Sequence, residues 1–180
     1  MSHVITILAD GFEEIEAVSF IDLLRRADIK VSMLGLKSKE VRGAHGITII
    51  ADALLNPDTE IYNGIILPGG QPGTTNLSQS DEVLSLVGKA YSQKALCAAI
   101  CAAPQVFSKA GILKGAKVSC YPGVESQLKG AEISEQPVSV WENVITSRGV
   151  GTAIEFSLAI IRYLSGEEIA RKVGRAILAE

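Results

Sequence analysis

Ala95-Leu96-Cys97-Ala98-Ala99-Ile100, then Cys101, then Ala102-Ala103-Pro104-Gln105-Val106-Phe107-Ser108-Lys109-Ala110, reads as a short strand that turns at a cysteine into a helix. An apolar run this short, without polar alternation, is the pattern of a strand buried on both faces, as in a parallel sheet. Small residues around Cys101 suit a tight turn, and Pro104 fits a first helical turn, where its missing N–H costs little.

The same alternation extends outward from this stretch. Toward the N-terminus, Val4 to Ala9 is a buried strand, broken by Asp10-Gly11-Phe12. A helix follows from Glu13 to Ala27, with Ala17, Phe20, Ile21 and Leu24 on one face and Asp22, Arg25 and Arg26 opposite. Acidic residues open it and arginines close it, as the helix dipole favours. Lys30 to Leu36 is a strand, and Val41 to Ala51, interrupted by Gly43-Ala44-His45-Gly46, a hairpin or an excursion at the sheet edge. Ile65-Ile66-Leu67 ends at Pro68-Gly69-Gly70, before a polar loop and a helix over Asp81 to Tyr91. Beyond the cysteine come a strand over Ala116 to Tyr121, a helical stretch over Val124 to Leu128, and strands around Ser139-Val140 and Val144-Ile145-Thr146. Helices over Thr152 to Leu164 and Glu167 to Leu178 close the chain. Strand–helix–strand repeats of this kind predict an α/β sandwich, a mostly parallel sheet with helices on both faces, in one domain over residues 1–180.

The 180 residues carry a formal charge of −3 with no basic block, so neither sequence-specific nucleic acid nor a membrane is expected as a partner. The N-terminal stretch has no cationic leader, and a cytoplasmic location is expected. Cys97, Cys101 and Cys120 make an odd count, which suits free thiols in a reducing compartment. With only His3 and His45 as imidazoles and no paired cysteine spacing, no metal is expected.

In a doubly wound sheet the site lies at the carboxyl ends of the strands. Three breaks fall there: Asp10 to Glu16, Pro68-Gly69-Gly70 and Ile100-Cys101-Ala102. Beside a helix N-terminus and free amides, the Cys101 thiolate is expected to be stabilised and its pKa lowered. The other reading of such a cysteine is an inert core residue, which fits Cys97 within its strand and Cys120 at the end of another; Cys120 can also serve as a second thiol near the cleft. Glu16 shares an apolar stripe with Phe20, Leu23 and Ala27, so burial should raise its pKa and make it a proton donor or shuttle. Glu13 and Glu14 are expected to be solvated and to complement the dipole. The amides of Gly69, Gly70 and Ala102 are the candidates to hold an oxyanion. His45 reads as a loop residue near the cleft rather than a base, and His3 as an exposed residue at a strand start.

Taken together, Ala9-Asp10-Gly11-Phe12-Glu13-Glu14-Ile15-Glu16, Leu67-Pro68-Gly69-Gly70, Ala98 to Pro104 and Ser147-Arg148-Gly149-Val150-Gly151-Thr152-Ala153-Ile154-Glu155-Phe156 resemble the ThiJ/PfpI superfamily, most closely its branch of the parkinsonism-associated deglycase. The resemblance implies a flavodoxin-like three-layer sandwich and a homodimer. It implies Cys101 as a redox-sensitive nucleophile and Glu16 as its hydrogen-bonding acid. It also implies cofactor-free glyoxalase or deglycase activity on small reactive aldehydes or glycated adducts, with oxidative-stress sensing and chaperone action as further ascribed roles.

Two departures narrow it. Ala102 stands where the peptidase branch has histidine, which disfavours proteolysis. Tyr121 stands where a histidine near the cysteine is frequent, and a phenol, ionising near pH ~10, is a poor base at neutral pH. Proton transfer then falls to Glu16. Where the branch often has an arginine before its edge strand, this chain has His45.

Overall fold

Each long apolar run becomes a strand, and the crossovers between them set the order of the sheet. The computed structural model describes residues 2–179. β1 (His3–Leu8) leads through α1 (Glu14–Arg26) to β2 (Lys30–Gly35), parallel to β1 with Leu8 opposite Gly35. A hairpin of β3 (Glu40–Arg42) and β4 (Thr48–Ile50) follows, then β5 (Ala53–Leu54), which pairs beside β2. β6 (Gly64–Leu67) returns on the other side of β1. Helices α2 (Gly73–Ser78) and α3 (Asp81–Ser92) lead to β7 (Leu96–Ile100), parallel to β6, and α4 (Pro104–Lys109) follows it. β8 (Lys117–Val118) and β9 (Glu132–Ile133) form a small separate pair. β10 (Val138–Trp141) turns into β11 (Val144–Ser147), which lies parallel to β7; α5 (Ala153–Ser165) and α6 (Glu167–Ala176) complete the chain. The main sheet runs β10-β11-β7-β6-β1-β2-β5, with β10 antiparallel to its neighbour.

The period of two in the strands divides the core between two faces. In β1, Val4 and Leu8 point to one side, where they meet Phe20 of α1 and Phe156 of α5. Ile5 and Ile7 point to the other, toward Leu86 of α3 and Phe107 of α4. Phe20 and Phe156 are fully buried and meet edge to face at 6.4 Å, joining α1 to α5. Each such aromatic side chain contributes on the order of 2–3 kcal/mol by burial. The fold is a flavodoxin-like three-layer sandwich. No helix among the described residues is long and apolar enough to cross a membrane.

Several elements differ from the sequence expectation. Ala116 to Tyr121 supplies only the two residues of β8, outside the main sheet: Ser119 N–H donates to Thr146 Oγ1 (2.9 Å), and Tyr121 N–H to the Cys101 carbonyl (2.9 Å), so the chain bends toward the cysteine instead of extending. The polar loop after Gly70 contains α2, whose residues offer little apolar periodicity. The helix expected from Ala102 starts at Pro104, because Ala102 and Ala103 are spent in the turn.

Candidate active site

β1, β6, β7 and β11 are neighbours in the sheet, so the loops that leave their carboxyl ends converge. The loop after β7 is the sharpest. Cys101 has φ 65°, in the left-handed region that non-glycine residues rarely occupy, at a cost of about 1–2 kcal/mol. Both of its backbone groups are held: its N–H donates to the Ser147 carbonyl (3.0 Å), and its carbonyl accepts from Tyr121 N–H. The strained turn is thus over-determined by β11 and the Tyr121 loop, and it presents Sγ to an open cavity of about 630 Å³.

Glu16 sits in the first turn of α1 and is completely buried. Gly69 N–H donates to its Oε2 at 2.8 Å. Oε1 is buried without a hydrogen-bond partner, and the Glu16 carboxyl lies beside the Cys101 thiol. A methyl group built on Gly149 would stand 3.9 Å from both Cys101 Sγ and Glu16 Oε1, so the two atoms face one point in the cavity. Burial pushes the Glu16 carboxyl up to about 7, against the Gly69 hydrogen bond and the Cys101 thiol; the Glu13 charge adds to the rise.

The thiol moves opposite to the dipole expectation. Burial first, then the charge and hydrogen bond of ionised Glu16, push Cys101 up to about 12, against the opposing amides of Ala102 and Gly70. The physical reason is placement: α4 is six residues long and begins three residues after the cysteine, while the carboxylate lies beside the sulfur. Above pH about 7 the pair therefore holds one proton between two acceptors. When Glu16 carries it, the carboxylate charge disappears and Oε1–H becomes a donor to sulfur, which turns the push on the thiol downward.

Gly70 and Ala102 direct their amides at the sulfur, whereas the Gly69 amide is engaged by Glu16 and is not free for an oxyanion. Tyr121 lines the cavity and is half exposed. Cys120 is buried and outside the cavity lining, its thiol pushed up to about 11 by burial and by Glu125, with Arg148 opposing. Cys97 is fully buried within β7. His3 is half-buried, its Nε2 2.8 Å from Ser32 Oγ.

His45 also lies outside the cavity lining, at the exposed tip of the β3–β4 hairpin, with Nδ1 2.9 Å from Glu14 Oε2. Glu14 is buried rather than solvated: the N–H groups of His45 and Ile47 donate to its Oε1 at 2.6 and 3.3 Å. Burial opposes its ionisation, but the His45 ring and these amides outweigh it and hold the carboxyl below its ordinary value. Glu13 is half-buried and lines the cavity. Arg148, Thr152 and Gln71 line it too, and sequence reasoning did not single them out. Thr152 braces the loop after β11, with Oγ1 2.6 Å from Ser147 Oγ and accepting from Gly149 N–H at 3.2 Å. Arg148 and Thr152 fall within the last of the four motifs that carry the family resemblance, and Gln71 directly follows Pro68-Gly69-Gly70.

Residues 2–163 match the DJ-1/PfpI family. The chain belongs to that family. Among DJ-1/PfpI proteins, it is 37% identical over 178 residues to protein dj-1beta of Drosophila melanogaster, covering 97% of this chain and 95% of that one. The crystal structure of that DJ-1beta superposes with a TM-score of 0.94, over 99% of this chain and 98% of the other. Identity is 33% over 170 residues to the glutathione-independent glyoxalase DJR-1.2 of Caenorhabditis elegans, 93% of this chain and 90% of that one. Protein DJ-1 homolog B of Arabidopsis thaliana is 38% identical over 174 residues, 95% of this chain, but the match spans only 40% of that longer protein.

Proposed function

We propose that the protein is a cysteine-dependent, cofactor-free enzyme of the glyoxalase or deglycase type. Its substrates are methylglyoxal, glyoxal or their early adducts. The observation that carries this reading is the buried Glu16 carboxyl, with Oε1 facing the Cys101 sulfur at the floor of an open cavity. Similarity to a relative named as a glutathione-independent glyoxalase supports it.

Chemistry follows from the shared proton. Ionised Glu16 takes the Cys101 proton as sulfur adds to the aldehyde carbon, and the new alkoxide meets the Gly70 and Ala102 amides. Glu16 returns that proton to the alkoxide, forming a hemithioacetal. The carboxylate then removes the hydrogen on the former aldehyde carbon while the ketone oxygen gains a proton, giving an enediol; it returns a proton to the adjacent carbon as the former hemithioacetal hydroxyl gives up its own and becomes the thioester carbonyl, so one carbon is oxidised as its neighbour is reduced. The product is a thioester of a 2-hydroxy acid. Water cleaves it, restoring the thiol, and methylglyoxal plus water has become lactate.

The test is lactate formation from methylglyoxal by the wild-type chain, before and after alkylation of Cys101 mapped by mass spectrometry. Lactate that disappears in proportion to Cys101 labelling is the expected result; no lactate above the buffer rate overturns the enzymatic reading. A second reading, a stress-linked thiol sensor or chaperone, draws on one observation: Cys101 alone of the three cysteines is partly exposed. Cys101 that labels readily while no lactate forms would favour it.

We further propose a cytoplasmic homodimer. Ile15 and Val18 of α1, with Ile47 and Ile154, expose apolar side chains around one shallow groove, a face that a second copy would remove from water. A charge within this face should separate the copies. Val18→Asp is expected to shift the mass in light scattering from dimer to monomer, and an unchanged mass counts against this surface.

A further inference from the structure

Glu13, Glu14 and His45 take part in none of the steps above, yet they form a second constellation at the edge of the cleft. His45 Nδ1 lies 2.9 Å from Glu14 Oε2 and 3.6 Å from Glu13 Oε2, and the three ligand atoms all lie within 4.8 Å of one another. We propose that these side chains form a binding site for a first-row divalent cation, zinc in particular, with an open position for water.

Geometry is the first ground. A tetrahedral zinc with metal–nitrogen and metal–oxygen bonds of about 2.0–2.2 Å sets neighbouring ligand atoms about 3.3 Å apart. The two separations from the imidazole bracket that edge and the carboxylate oxygens lie within 4.8 Å of each other, so a cation fits once the exposed imidazole and the half-buried Glu13 carboxylate adjust around it. Ligand type is the second ground: one imidazole and two carboxylates suit zinc, whereas calcium and magnesium take six or more oxygens. The third ground is orientation. Glu14 Oε1 is fixed by the His45 and Ile47 amides, which leaves Oε2 turned toward the imidazole, and the Ala44 N–H donates to the Phe12 carbonyl at 2.8 Å, so the hairpin tip is tied to the start of α1 before any metal arrives.

The absence of a metal expected from sequence rested on local spacing. Here the ligands are 31 residues apart in the chain, and only the hairpin's return onto α1 brings them together. A cation at this point would cross-link the hairpin to α1, and Glu13 would be shared between the metal and the cavity wall.

Calorimetric titration of the full chain with zinc tests the site, with circular dichroism checking that each variant folds. One zinc per chain is expected for wild type and for Cys101→Ser. His45→Ala and Glu13→Gln should each weaken binding at least about 10-fold, the scale of losing even an outer-shell partner. His45 has a side chain 70% exposed, so its removal leaves the core intact. No stoichiometric zinc in the wild-type chain overturns the proposal, as does binding undiminished in His45→Ala. Zinc lost with Cys101→Ser would place the metal on the thiol instead.

Discussion

Glu16→Gln is expected to lower lactate formation by about 10²–10⁴-fold, the span of a lost general base, while making the folded protein more stable above pH 7. Both effects come from one proton. The carboxyl ordinarily ionises near 4.5, and burial raises it to about 7 in the folded chain. Between those values the folded state keeps a proton that the unfolded state has released, so stability falls as pH rises through this window. At 1.36 kcal/mol per unit of pKa the full loss is about 3 kcal/mol, reached above pH ~7. Glutamine can still accept from Gly69 N–H and has no charge to bury. Urea unfolding at pH 4 should therefore find variant and wild type nearly equal, and at pH 8 should find the variant more stable by up to about 3 kcal/mol. In the wild type, lactate formation should rise with pH through a midpoint of about 7, as Glu16 becomes the base that takes the thiol proton. A variant that is inactive but no more stable at pH 8 would show that Glu16 is not a buried acid of raised pKa.

Gly69→Ala carries the second large effect. A methyl group there would lie 2.6 Å from Cys101 Cβ, 2.9 Å from Glu16 Oε2 and 3.0 Å from the Ile100 carbonyl oxygen. All three neighbours are fixed, two by the main chain and one by the hydrogen bond that Gly69 itself donates. Relief requires moving the thiol away from the carboxyl. The expected outcome is a stability loss of about 1–3 kcal/mol, the usual cost of overpacking, together with loss of lactate formation. Gly88→Ala is the contrasting control: its methyl meets nothing within 4 Å and it lies within α3, so the same substitution should stabilise by roughly 0.5–1 kcal/mol and leave activity unchanged. Calorimetric melting of the two variants, read with activity, separates a local clash from a general intolerance of added volume.

The sheet was legible because β1, β6 and β7 are short apolar runs with a turn after each, and a run of that kind has few other ways to hide both faces. Cys101 was legible for the same reason: it is the first residue beyond such a run. Glu16 was legible through its register with Phe20 and Leu23. Glu14 was not, because its burial depends on the hairpin tip folding over it from 31 residues away. The thiol's upward shift was also hidden. Local sequence shows a helix start near Cys101, while the distance to the Glu16 carboxylate belongs to the packing of α1 against the loops after β6 and β7. Arg148 and Thr152 carry no periodic signal, since a loop after a strand obeys no repeat.

Glu16 takes its position from a peptide N–H, not from another side chain. Gly69 meets α1 twice, its carbonyl accepting from Glu13 N–H at 2.9 Å and its amide donating to the Glu16 carboxyl. The acid is therefore aligned by main-chain atoms, which no exchange of a lining side chain such as Tyr121 or Gln71 removes. The walls made by Tyr121, Arg148 and Gln71 can drift and admit different molecules while the reacting pair keeps its spacing. Such a site separates what enters from what is done to it, so changes of substrate can accumulate without first dismantling the chemistry.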